Sequence, residues 1–259
     1  MLAVPPAIHA LEHWLISYRR IWRGTIFSTA LMPLLYFAGI GLGVGVYVNQ
    51  ARPAALGGTS YLAYIAPGLL TTAAFQVMAG EMSWPVFAAM RWGQQYKAML
   101  ASPLRPVDIL SGQITFGLLR ATSSAVAFFM VMVLFGMVRS PVAAASLGAA
   151  ALTALAVSGW LFTVSITART EGVMSLTYRF GVIPVTLFSG VFFPVSQLPL
   201  LVRPIAWLSP LWHGTELARS ATLGWPAPLP PAVHLACLLA WVVSGLYLAQ
   251  RSINRKLSV

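Results

Sequence analysis

Pro141 to Thr167 reads PVAAASLGAAALTALAVSGWLFTVSIT, twenty-seven residues without an ionisable side chain, held between Arg139 and Arg169. A helix of about 20 apolar residues crosses roughly 30 Å of hydrocarbon, so this stretch reads as a membrane span. Five others, at 25–48, 62–84, 108–136, 177–195 and 231–250, read the same way. Six crossings return both termini to one side. Threaded so, the chain puts Arg19, Arg20, Arg23, Arg91, Lys97, Arg105, Arg169, Arg179, Arg251, Arg255 and Lys256 on one face and Arg52, Arg139, Arg203 and Arg219 on the other. The positive-inside bias makes the richer face cytoplasmic. The remaining cation, Arg120, sits within the third stretch.

Composition agrees with a membrane protein and excludes most alternatives. Of 259 residues 58% are hydrophobic and 8% charged, against about 25% charged in soluble domains, and the mean hydropathy is +0.79. The net charge of +11 sits at the ends of the apolar stretches, where topology and anionic lipid account for it, so no nucleic-acid partner is expected. Cys237 is the only cysteine; a disulfide framework or a cysteine-built metal site within one chain is excluded. Residues 1–23 hold Pro5, Pro6, Glu12 and three arginines before any long apolar run, which predicts a retained anchor rather than a cleaved leader.

Ahead of the first stretch, Ile8, Leu11, Leu15, Tyr18 and Trp22 recur at spacings of three and four. This predicts an amphipathic helix on the cytoplasmic surface within residues 1–24. Gly39, Gly41, Gly43 and Gly45 form two overlapping GxxxG patterns, which suit close helix or dimer packing rather than nucleotide binding, because no strand precedes them. Between the second and third stretches, Trp92, Tyr96, Met99 and Leu100 recur at i, i+4, i+7 and i+8 before Pro103 and Pro106. They predict a short amphipathic helix over 91–106, lying on a membrane or in a partner's groove. Residues 196–230 carry proline-punctuated apolar pieces and Trp207, Trp212 and Trp225, which predict an outer re-entrant or interfacial hairpin.

Two stretches resemble the permease subunit of ABC-2-type exporters. Lys97-Ala-Met-Leu-Ala-Ser-Pro-Leu-Arg-Pro-Val-Asp-Ile-Leu-Ser-Gly112 is similar to that family's coupling helix and the start of its third membrane helix. Phe188-Ser-Gly-Val-Phe-Phe-Pro-Val-Ser-Gln-Leu-Pro199, with Leu208-Ser-Pro-Leu-Trp-His-Gly-Thr-Glu-Leu-Ala-Arg219, is similar to its carboxy-proximal signature. The ending looks most like the nodulation-factor exporter branch and its drug-export relatives. The resemblance implies a single all-α transmembrane domain over 1–259 with six membrane helices, in the plasma (inner) membrane. It implies pairing with a second permease copy or a related permease, and two cytoplasmic ABC ATPase subunits that carry ATP and Mg, this chain holding no cofactor. It assigns Trp92, Tyr96, Lys97, Leu100, Ser102, Pro103, Leu104 and Arg105 to ATPase coupling. It implies export of an amphiphile: a lipid-linked oligosaccharide, a drug or another lipid. Pro194, Pro210, His213, Gly214, Glu216 and Arg219 belong to the outer hairpin, where Glu216 and Arg219 are spaced to pair across one turn.

Other motifs invite different chemistry. Leu110-Ser-Gly-Gln113 imitates a fragment of an ABC ATPase signature, yet no GxxxxGK[ST] loop exists and the only lysines are Lys97 and Lys256. His9-Ala-Leu-Glu-His13 fits the HxxEH zinc pattern, on a helix with no protease-sized domain after it; no metal site is expected. Arg120 has two readings: with Phe188, Phe192 and Phe193 it lines a substrate path, or it snorkels or pairs structurally. A membrane-embedded lipid-modifying enzyme would need concentrated catalytic polar groups, whereas the acidic residues are scattered at 12, 81, 108, 171 and 216. An ion-coupled secondary transporter would want paired ionisable groups near the midplane.

Overall fold

Ser60 opens the first long helix by accepting a hydrogen bond from the amide of Ala63 at 3.3 Å. In the computed structural model, which describes residues 6–20, 59–257 and the isolated positions 31, 35, 38, 39, 43 and 45, that helix is α2 (Tyr61–Met82). Before it stands α1 (Pro6–Tyr18). Ser83 breaks α2 with a φ of −101° and a ψ of −96°, and Pro85 helps to restart the chain as α3 (Trp84–Arg91). A short α4 (Gln95–Met99) follows. The Asp108 carboxylate accepts from the Arg105 amide at 2.9 Å and so fixes the start of α5 (Pro106–Leu134), which Gly136 ends at a φ of +66°.

Next comes α6 (Ala145–Thr167), then α7 (Glu171–Thr177), a π-helical turn (Tyr178–Val182) and α8 (Ile183–Phe188). After a 3₁₀ turn at Val195–Gln197 come α9 (Arg203–Leu208), α10 (Pro210–Leu223) and α11 (Pro231–Leu257). No strand occurs among the described residues.

Among the described residues, four helices are long and apolar enough to cross a membrane: Tyr61–Arg91, Pro106–Leu134, Ala145–Thr167 and Pro231–Leu257. They match four of the six expected stretches. The stretch at 25–48 lies outside the described residues except for isolated positions; so does Gly41, while Gly39 and Gly43 are exposed and Gly45 is buried. The stretch at 177–195 is not one long helix. The π turn interrupts its register, and the helix ends at Phe188, ahead of Gly190 at a φ of +71°. Residues 168 and 190 nevertheless sit at opposite ends of α2–α3. Arg91 holds Ala168 at one end, while Arg219, stacked on Tyr64, holds Gly190 at the other; Tyr64 and Arg91 lie about 40 Å apart along α2 and α3.

Helix α6 is the hub, packed against α2, α5, α10 and α11. Lipid supplies no hydrophobic force between helices, so small residues that admit a neighbour's backbone decide such packing. Gly159 of α6 meets the backbone of Gly245 in α11, and Gly214 of α10 meets Thr153 of α6; a Cβ at either glycine would collide. Burial separates the spans: 78% of the apolar window of α2–α3 and 67% of that of α6 are buried, against 39% for α5 and 28% for α11. Polar side chains inside the bundle pair with each other, as Thr71 does with Thr215 at 3.0 Å and Ser189 with Ser209 at 2.6 Å.

The N-terminal helix packs on the bundle. Ala10, Leu11 and Trp14 of α1 sit over Gly112 of α5, and Tyr18 meets Phe116 edge-on at 5.9 Å. Thus α1 lies lengthwise along the first half of α5, because Gly112 presents no side chain there. Ile8, Leu15 and Ile16 remain exposed on its other side.

Candidate functional site

At the Arg91 end, the Nε and Nη2 of Arg91 donate to the Ala168 carbonyl at 3.0 and 2.7 Å, satisfying a terminal carbonyl of α6 with a cation. Trp92 and Gly93 then turn the chain into Gln94, at a left-handed φ of 46°. That turn resets the helical phase, so Trp92 and Tyr96 do not share the face that their spacing predicts. Tyr96 points inward and is fully buried. Its ring packs 6.4 Å from that of Phe162, and its hydroxyl donates to Gln113 Oε1 at 3.4 Å. Burial pushes its phenol far above the ordinary tyrosine value, keeping it a neutral donor. Gln113 in turn donates to the Glu81 carbonyl at 3.3 Å. The outward surface consists instead of Trp92, Lys97, Ser102, Pro103 and Arg105, with Leu100 and Leu104 half-buried.

Arg120 is paired. Its Nη1 donates to Oε1 of Glu81, and its guanidinium stands 5.2 Å from the ring centroid of Tyr18, within reach of a cation–π contact. The phenylalanines grouped with it lie elsewhere. The Phe192 carbonyl accepts from the Tyr61 hydroxyl at 3.1 Å, about 30 Å along α2 from Glu81. Phe188 is exposed, and Phe193 packs beside Val195, Leu198, Ala206 and Trp212. The Arg120–Glu81–Tyr18 junction joins α1, α2 and α5. Sequence reading had placed Arg120 at depth without naming its partner.

At the Arg219 end, one guanidinium fastens three segments. Arg219 Nη2 donates to the Gly190 carbonyl at 3.0 Å, Nε to the Tyr64 carbonyl at 3.4 Å and Nη1 to Glu216 Oε1, while its Cζ lies 4.0 Å from the Tyr64 ring centroid. The expected Glu216–Arg219 spacing is thus occupied by an ion pair, both members buried. Pro210 opens α10. His213 turns the other way, its Nδ1 2.8 Å from that of His234 on α11, and Trp212 packs on both imidazoles. Arg139 and Ser140 donate their amides to the Thr222 carbonyl, tying the α5–α6 connection to the same end. These segments enclose a cavity of about 460 Å3. Pro194, Glu216 and Arg219 reach it; so do Trp207, Trp212 and Trp225, expected only as interfacial aromatics, and Tyr64 from the start of α2.

The HxxEH residues diverge: His9 Nδ1 donates to Glu12 at 3.2 Å, while His13 meets Gln95 of α4.

Comparison with known proteins agrees with this architecture. The sequence model of the family described as ABC-2 type transporter matches residues 11–223. Nodulation protein J of Rhizobium leguminosarum bv. trifolii is 27% identical over 252 residues, 95% of this chain and 94% of its own length. Nodulation protein J of Rhizobium meliloti (strain 1021) is 24% identical, with 93% and 90% covered. The inner membrane transport permease YadH of Escherichia coli (strain K12) is 24% identical, with 80% and 78% covered. With this match over residues 11–223, and with four helices among the described residues long and apolar enough to cross a membrane, the chain belongs to the ABC-2 type transporter family of membrane proteins.

Proposed function

We propose that the chain is the permease subunit of an exporter, with six crossings and both termini in the cytoplasm, driven by ATP that separate ABC ATPase subunits hydrolyse. The observation that carries this reading is the build of the Arg91 end. A short helix whose buried tyrosine is seated in the bundle core, and whose outer side offers Trp92 and Lys97, is a lever: force on its outer side reaches α5 and α6 through Tyr96. Bound nucleotide shifts a conformational equilibrium only through differential affinity for two states, and such a lever lets ATPase closure favour one of them. The exposed faces of α5 and α11 leave surface for lipid and for a second permease, identical or related. The cargo is an amphiphile, such as a lipid-linked oligosaccharide, a drug or a lipid. Placement in the inner membrane rests on charge asymmetry and on similarity to an inner membrane transport permease.

Trp92→Asp combined with Leu100→Asp tests the lever. These positions are exposed or half-buried, so the variant is expected to insert at normal levels yet to lose co-purifying ATPase and ATP-dependent accumulation in inverted vesicles. Full retention of both would dismiss the coupling role.

A further inference from the structure

Two imidazoles meet where α10 leans on α11. His213 and His234 bring their Nδ1 atoms to 2.8 Å, and both residues are buried, at 3% and 0% exposure. At that distance one proton lies between the two nitrogens, so one ring donates and the other accepts. The Trp207 carbonyl also takes a hydrogen bond from His213. A neutral ring has a single N–H to give, and with Nδ1 facing His234 that donor is Nε2; His213 therefore accepts at Nδ1 and His234 donates. This leaves His234 with a lone pair at Nε2, and that atom is buried without a partner among the described residues. Trp212 packs on both rings, with centroids 4.8 Å from His213 and 5.1 Å from His234.

The surrounding elements bring no free charge to this pair. Helix α6, packed on both α10 and α11, has no ionisable side chain. On α9, Arg203 is turned to the carbonyls of Leu198 and Ser196. On α10, Glu216 and Arg219 hold each other, with Tyr64 of α2 against Arg219. The charges of α5, Asp108 and Arg120, are bound to Arg105 and Glu81, and Arg139 after it is exposed. On α11 itself Cys237 is one turn away, while Arg251 is about 25 Å along the helix. An added proton at Nε2 of His234 thus makes a buried cation whose new N–H meets no acceptor, and a second sets two N–H groups against each other. Parting the rings lets water reach both.

We propose that His213 and His234 form a proton-binding latch, which ties α10 to α11 when neutral and releases it when protonated. Release moves Trp212, which also lines the cavity, so acid opens the Arg219 end. The exporter topology supplies only the compartment, the outer one, from which the protons come. Burial, and then the neighbouring His234, push His213 from its ordinary 6.5 down to about 4. The parted state therefore binds protons more readily than the closed one. Closure is complete above pH 6.5 and is lost as pH falls toward 4, by about tenfold in the open-to-closed ratio per pH unit.

The full chain in lipid nanodiscs, where one buffer reaches both faces, tests the latch independently of topology. Nitrogen-15 histidine labels four imidazoles, and solid-state NMR at neutral pH should show Nδ1-to-Nδ1 coupling between His213 and His234 that acid removes. Spin labels at Ser220→Cys on α10 and Ala236→Cys on α11, in a Cys237→Ser background, should report one distance above pH 6.5 and a growing longer one toward pH 4. His234→Gln is expected to stay closed throughout, because its amide donates or accepts opposite His213 by flipping. Absence of the coupling at neutral pH, or a separation that ignores acid, would overturn the latch. So would an acid response that survives in His234→Gln, which would place it on Glu216. Saturable zinc binding that His234→Gln abolishes would overturn it too, making the lone pair a metal ligand instead.

Discussion

Arg120 shows what a single half-buried charge imposes on its surroundings. A cation halfway along α5 is expensive in lipid, and Glu81 with the ring of Tyr18 offsets that cost. Removing one partner of such a pair leaves the other uncompensated, for about 3 kcal/mol. Arg120→Leu is therefore expected to lower the thermal midpoint of the purified chain markedly. The double variant Arg120→Leu with Glu81→Gln should recover most of that loss, and a double variant as unstable as the sum of its parts would speak against the pairing. The partnership was partly legible in sequence. Glu81 lies ten residues before Arg91, and Arg120 fifteen after Arg105, which puts them about 15 and 22 Å from the same face, a gap that two long side chains can close. What depth does not give is azimuth, and only the packing of α2 on α5 turns these two side chains toward each other. Gly159 is a second such case. Its type announces close packing but not its neighbour, and Gly159→Val should destabilise the α6–α11 crossing by about 1–3 kcal/mol, read by the same melt.

Helices make their own demands, and here phase matters more than composition. The period of Trp92, Tyr96, Met99 and Leu100 looked like one continuous face, but left-handed Gln94 interrupts it; a periodicity count assumes an unbroken helix and cannot register such a turn. The same failure hides in 177–195, where the composition of a span is present and the π turn at Tyr178–Val182 shifts everything after it. That shift brings Thr186 to Gln76, 2.9 Å away on α2. Deleting Gly181 to restore regular pitch should rotate Thr186 off Gln76, and cysteines at 76 and 186, which should cross-link in the parent, would then fail to do so. Arg91→Ala should free the end of α6 from α3. Its expected signature is ATPase stimulation reduced several-fold at normal membrane insertion; full stimulation would mean that the Ala168 carbonyl needs no such anchor.

Taken whole, the molecule has two unlike ends joined by a bundle centred on α6. The apolar stretches and the resemblance of two motifs made the class and four of the long helices legible, because length and hydropathy are the quantities a bilayer constrains. The cavity was not legible, since its walls come from the start of α2, from α9, from α10 and from the segment before α11, which only the folded chain brings together. The proposed exporter function requires those ends to face opposite compartments, with the Arg91 end meeting an ATPase. The direct measurement places a photo-reactive amino acid at Lys97 or at Ser196 of the tagged full-length chain, irradiates intact cells and identifies the captured proteins by mass spectrometry. Position 97 is predicted to capture a protein bearing a GxxxxGK[ST] phosphate loop, and position 196 to capture none. Capture of such a protein from position 196, or its absence at position 97, would contradict the account.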